Sequence, residues 1–184
     1  MKYWDAFVGM ITRPREYVFG EGKNFSLVDA VIYVAIIGAI VGFFTGLFGV
    51  HTFGGRELPF SGGTGALGGL VAGAIGAVIG LFIGAVILYI ILAILKVKVD
   101  FSKLVSAAGL SYTGNIASII PLIGGIIAAI WQLYLLYLAL MGVADVPPDK
   151  SKLTIIILIV IYIILMLLAM MVAGAAFMAA TAAT

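Results

Sequence analysis

The stretch "SGGTGALGGLVAGAIGAVIGLFIG", residues 61–84, can be read in two ways, and the choice decides the fold. Gly63, Gly65 and Gly68 have the G-x-G-x-x-G spacing that cradles a dinucleotide pyrophosphate in a Rossmann unit. That fingerprint needs a buried strand before it and an acidic residue about 20 positions on for the ribose. The preceding "HTFGGRELPF" is broken by Gly54, Gly55 and Pro59, and no Asp or Glu follows Gly68 until Asp100. The other reading is a membrane helix with a glycine stripe. In lipid, helices associate through close packing, and small residues let their backbones approach. Gly65, Gly69 and Gly73 recur every fourth residue, as do Gly76, Gly80 and Gly84, while Gly38, Gly42 and Gly46 repeat the spacing upstream.

Composition supports the second reading. Of 184 residues, 64% are hydrophobic and 10% charged, against about 25% charged in an average soluble domain. Mean hydropathy is +1.29. The net charge of +2 is too small to indicate nucleic acid, and the absence of Cys excludes disulfides, thiolate metal sites and cysteine nucleophiles.

Five apolar stretches are long enough for a hydrocarbon core of about 30 Å, which takes roughly 20 helical residues. They cover 27–50, 66–95, 104–120, 122–143 and 153–180. The sequence therefore predicts an all-α integral membrane protein, a single membrane domain over 1–184. Ser26 and Asp29 have the spacing of a capping box at the first span. Pro147 and Pro148 stop the fourth, and Asp149 or Ser151 starts the fifth. "SIIPLIGG" joins spans three and four so tightly that they form an antiparallel hairpin.

Lys2, Arg13, Arg15, Lys23, Lys96, Lys98, Lys103, Lys150 and Lys152 fall on one side of this topology and only Arg56 on the other. The positive-inside rule then places the amino terminus in the cytoplasm and, after five spans, the carboxyl terminus outside a cell membrane. The first 26 residues lack the continuous apolar core of a signal peptide. Trp4, Phe7, Val8 and Ile11 instead recur at i, i+3, i+4 and i+7, the apolar face of a short amphipathic helix lying in the interface.

Ionisable groups at depth are the usual mark of chemistry in a membrane protein. Here all eight acidic residues lie in the amino segment, the loops or, for Asp29, the first turn of span one, and His51 falls in an outer loop. "GLSYTG", 109–114, lacks G-x-S-x-G spacing and any intramembrane His to act as base. The sequence thus predicts no catalytic residue, no metal site and no cofactor. Uncharged polar groups gather in spans three and four, with Ser111, Asn115 and Ser118 on one stripe and Gln132 level with Ser111 across the hairpin. They serve either as interhelical hydrogen bonds or as the lining of a conduit.

The segments "FVGMITRPREYVFGEGKNFSLVDAVIY" and "VSAAGLSYTGNIASIIPLIGGIIAAIWQLYLLYLALMGVADVPPDKSKLTIII" are similar to the Pro-centred lead-in and the third-to-fifth-span core of the Yip (Ypt-interacting protein) family. The chain resembles a prokaryotic-type five-span member. It departs from eukaryotic members in lacking their acidic, Gly-Pro-containing signature and a long cytoplasmic domain to receive a small GTPase. The resemblance implies fold and topology more than an activity. The function expected is a non-enzymatic scaffold, partner-binding or membrane-shaping protein, acting on the lipid bilayer and as a homo-oligomer or with a membrane-protein partner. The alternative is a small oligomeric permease or channel using the polar face of spans three and four.

Because the chain lacks Cys, single cysteines report sidedness without background. Arg56→Cys is expected to react with an impermeant thiol reagent applied to intact cells, and Lys98→Cys only after permeabilisation; reversed labelling would overturn the orientation.

Overall fold

The computed structural model describes residues 2–48, 52–53, 56–57, 65–120 and 123–182. Its helices run in the order α1 (Lys2–Thr12), α2 (Pro14–Phe19), α3 (Leu27–Phe48), α4 (Gly65–Ile94), α5 (Phe101–Ser111), α6 (Gly124–Gly142) and α7 (Pro148–Ala182). Short 3₁₀ segments, Glu21–Asn24 and Tyr112–Ile119, precede α3 and follow α5. Between α3 and α4, Thr52–Phe53 pairs antiparallel with Arg56–Glu57. Gly63 of the dinucleotide fingerprint and His51 lie outside the described residues, and Gly65 and Gly68 belong to the first turns of α4.

Local chemistry accounts for the helix boundaries. Ser26 and Asp29 form a capping box: the Asp29 amide donates to Ser26 Oγ at 3.2 Å and the Ser26 amide to Asp29 Oδ2 at 2.9 Å. Asp100 caps α5, its Oδ1 accepting the Ser102 amide at 2.7 Å. The last helix opens at Pro148 rather than 153, because the fixed φ of proline suits the first helical position, where no amide donor is needed.

Among the described residues, four helices have the length and apolarity to cross a membrane: Leu27–Leu47, Gly65–Ile94, Gly124–Gly142 and Pro148–Val172. The stretch expected as a third continuous span, 104–120, is divided. Its α-helix ends at Ser111 and the chain tightens into 3₁₀ geometry through Ile119. Hydroxyls assist the change, since Ser111 Oγ and Thr113 Oγ1 each donate to the carbonyl three residues back, both at 2.7 Å. The adjoining helix presses on the same place: a Cβ at Gly114 would lie 2.6 Å from the Gln132 amide nitrogen in α6.

The α3–α4 pair is joined backbone to backbone. A Cβ on Gly42 would fall on the Gly69 carbonyl oxygen, one on Gly69 on the Gly42 carbonyl oxygen, and one on Gly73 on that of Gly38. At Gly46 the added carbon would stand 2.5 Å from the Gly65 oxygen. The second row of α4 glycines meets no such helix. Gly76 and Gly84 have open space where a side chain would go, and Gly80 faces only the Tyr112 hydroxyl at 2.9 Å. The two rows differ because the four-residue spacing changes phase between Gly73 and Gly76, a three-residue step that rotates the later row off the α3 face.

The core is centred on α5, whose residues 104–111 are all buried. Around it lie Tyr33, Val34 and Ile37 of α3, Leu81, Leu88 and Leu92 of α4, and Leu135, Leu138 and Leu140 of α6. The amino segment covers one end. From α1, Ala6 and Met10 are fully buried, as is Val18 from α2, which seats against Gly142 at the end of α6.

The glycine geometry makes a ranked prediction. Gly42→Ala or Gly69→Ala should destabilise the protein in detergent by about 1–3 kcal/mol through overpacking. Gly76→Ala should be neutral or stabilising by up to about 1 kcal/mol, from helix propensity alone. Equal losses in thermal unfolding would refute this division of the two rows.

Candidate functional site

Polar groups collect in two places, one at mid-bundle and one at the end covered by α1 and α2. At mid-bundle, most hydroxyls are already engaged. Ser111 donates to Ala108 O, and Ser118 donates to Asn115 O at 2.6 Å. Thr113 gives its only proton to Leu110 O, so in the 2.6 Å contact with Tyr33 the phenol is the donor. That bond links α3 to the 3₁₀ segment inside the core, where Tyr33 is 1% exposed.

Asn115 and Gln132 face different spaces. Gln132 lines a cleft of about 210 Å³ with Gly80, Gly84, Ser111 and Tyr112. Asn115 lines a groove of about 370 Å³ against the α3–α4 seam, with Gly38, Gly42, Thr45 and Gly69. Tyr112 borders both. The structure thus brings Ser111 and Gln132 together, as their levels in the hairpin imply, and separates them from Asn115. The 3₁₀ winding is the cause: at 3.0 residues per turn, positions 111, 115 and 118 no longer share an α-helical stripe.

At the covered end, Asp29 accepts from four groups. The Lys2 ammonium pairs with it, the Ser26 amide and hydroxyl donate to Oδ2, and Tyr3 OH reaches Oδ1 at 3.5 Å. Lys2 also stands 5.7 Å from the centre of the Phe25 ring. Sequence spacing gave Asp29 its capping role; its bond to residue 2 carries no local signal and emerges only from the fold.

The face of α1 turned to the core is built from Ala6, Gly9 and Met10, with Tyr3 and Phe7 partly buried beside them. Trp4 is 64% exposed, and Val8 and Ile11 are exposed with it. Trp4 stacks on Phe7 at 5.8 Å. Between α1 and α2 lies a notch of about 490 Å³ bordered by Trp4, Asp5, Arg13, Glu16, Tyr17 and Glu21. Burial, then repulsion from Glu21, Asp5 and Asp29, pushes the Tyr17 phenol up to about 12. Across the same end, Lys103 pairs with Asp145 at 2.6 Å.

Among the described residues, no three His, Cys, Asp or Glu side chains gather as a metal set. The arrangement offers packing surfaces, satisfied hydroxyls and ion pairs near one end.

The buried Tyr33–Thr113 bond predicts an asymmetry. Tyr33→Phe leaves Thr113 bonded to the Leu110 carbonyl and should cost about 1 kcal/mol, whereas Thr113→Val strands a buried phenol and should cost up to about 3 kcal/mol. Unfolding of the two variants in detergent measures the difference; a costlier Tyr33→Phe would reverse the donor assignment.

Comparison with curated proteins finds no match, and comparison with solved structures finds none either. A family model, the Yip1 domain, matches residues 8–171, from the middle of α1 to deep in α7. With its apolar membrane-length helices and a match over most of its length, the chain is a membrane protein that belongs to the Yip family.

Proposed function

We propose that this protein is a non-enzymatic membrane scaffold of prokaryotic type, built as one membrane unit, that works by binding another membrane protein or a second copy of itself. The observation that carries this reading is helix α7. Its first turns are held by the bundle: Ser151 and Thr154 are fully buried, and Ile155 and Leu158 pack on the core. Beyond Leu158 the helix stands exposed to Val172 apart from the half-buried Ile161. A helix of membrane length with so little cover from its own chain presents a long face for a neighbouring helix. In lipid, such contacts form by packing rather than by escape from water.

Five crossings complete the proposed topology. Eleven α-helical residues followed by eight in 3₁₀ geometry extend roughly 32 Å when collinear, enough for the hydrocarbon core. The divided α5 segment and α6 then cross as a hairpin. The amino segment lies on the cytoplasmic side with the exposed Trp4, Val8 and Ile11 as its interfacial anchor, and the carboxyl end lies outside. A permease is less well supported, because Asn115 and Gln132 border separate clefts rather than one path.

Cross-linking tests the reading. In liposomes, the single-cysteine variants Ile163→Cys, Met166→Cys and Leu167→Cys on one helical face should form disulfide dimers and Leu165→Cys and Leu168→Cys on the opposite one should not, or the reverse. No dimer at any α7 position, with a monomeric mass and no captured membrane protein, would overturn it. So would solute flux that vanishes in the folded Asn115→Leu, Gln132→Leu variant.

A further inference from the structure

The end of α4 is closed by a lysine where the backbone calls for glycine. Val97 N–H returns to Leu92 O at 2.9 Å and Lys96 N–H to Ala93 O at 3.0 Å, the paired bonds of a Schellman motif. Lys96 takes the left-handed conformation that this ending requires, with φ 58. Glycine enters that region without steric cost, and a side chain does not. The chain holds 24 glycines and has a lysine here.

One other non-glycine residue among those described has positive φ, Asp145 at 54. It is charged too, and its carboxylate has a partner in Lys103 at 2.6 Å. Neither Lys96 nor Lys98 forms an ion pair among the described residues. The nearby carboxylate of Asp100 accepts the Ser102 amide. Both lysines are exposed, while Val97 and Val99 between and after them pack toward the core.

The lysines form the rim of a cavity of about 390 Å³ whose other walls are Tyr89, Ala93, Val97 and Val99. Tyr89 meets the Phe101 ring edge-on at 6.0 Å, which fixes the aromatic wall. Next to it, Ile90 and Ile94 are 53% and 72% exposed on the flank of a helix with membrane length and apolarity. A cationic rim thus adjoins an apolar flank. A soluble anion would use only the rim, whereas an amphiphile with an anionic head would use both.

We propose that the α4–α5 turn is a binding site for an anionic phospholipid, its phosphate held between Lys96 and Lys98 and the start of its chains lying along Tyr89 and Ala93. The lysine at the strained position supplies a charge to that site, as the aspartate at the other supplies an ion pair.

Native mass spectrometry of the purified full chain, titrated separately with phosphatidylglycerol, phosphatidylcholine and inorganic phosphate, tests this. The wild type should retain phosphatidylglycerol over phosphatidylcholine and hold inorganic phosphate weakly. Lys96→Gly and Lys98→Gln should each lower phosphatidylglycerol affinity about fivefold, and together roughly 25-fold. A double variant elsewhere on the same end, Lys150→Gln with Lys152→Gln, should bind as the wild type does. Lys96→Gly should melt no lower than the wild type, since glycine suits the left-handed position, so lost binding is not lost folding. Unchanged phosphatidylglycerol affinity in the Lys96 and Lys98 variants would overturn the proposal. An equal loss at Lys150 and Lys152 would do so by showing diffuse charge, and tight, lysine-dependent binding of inorganic phosphate by showing a site for a soluble anion.

Discussion

The direct contact of two backbones along Gly38, Gly42 and Gly46 of α3 and Gly65, Gly69 and Gly73 of α4 is the constraint on which the rest of the bundle depends. It fixes register as well as distance, because Gly38, Gly42, Gly46, Gly69 and Gly73 each stand against one particular carbonyl of the other helix. With Gly46 set against Gly65 at one end, a helix of 22 residues is paired with one of 30, and α4 overshoots the start of α3 at the other end by roughly 15 Å. The overshoot becomes a wall. All five buried residues of α4, Leu81, Ala85, Leu88, Ile91 and Leu92, lie in its second half, and α5 packs there. Gly109 of α5 approaches Ala30 in the first turns of α3, so closely that an added Cβ would lie 2.6 Å from the Ala30 Cβ.

That arrangement explains which features were legible in the sequence. Helices α3, α4, α6 and α7 face lipid over much of their length and must be apolar on nearly every side, so hydropathy reveals them. The α5 segment is surrounded by protein, tolerates Ser106, Ser111 and Thr113 because each hydroxyl finds a partner, and ends where glycine and hydroxyls favour tighter winding. A span-length reading of 104–120 therefore covers helical chain but not its division at Ser111. The capping box at Ser26 and Asp29 was readable because both partners are local. The partners of Asp29 and Thr113 at Lys2 and Tyr33 were not, since nothing in the spacing links residues so far apart.

The glycines and the amino helix show a second limit. Four-residue spacing marks both glycine rows of α4, but only the partner helix decides which row is used. Periodicity in α1 identifies the apolar face of Trp4, Phe7, Val8 and Ile11, while the face seated on the core is made of the smaller Ala6 and Gly9 with Met10. Small size, rather than hydrophobicity, is the signal for the closer contact: a Cβ at Gly9 would lie 2.5 Å from the Tyr17 ring. Membership of the Yip family rests on the whole pattern, 8–171, and not on any one of these residues.

The seat of the amino-terminal helices also sets an order of events during synthesis. Val18 closes on Gly142, and Gly22 on Leu110, so the segment made first docks against segments made much later. Contacts of such long sequence separation are slow to form, because the intervening chain must be arranged before they contribute. Helices α1 and α2 can fold locally as they emerge, but their final site does not exist until α6 has paired with α5. Helices α1 and α2 therefore leave the ribosome before the segments they dock on and reach their native place only after those segments have done so.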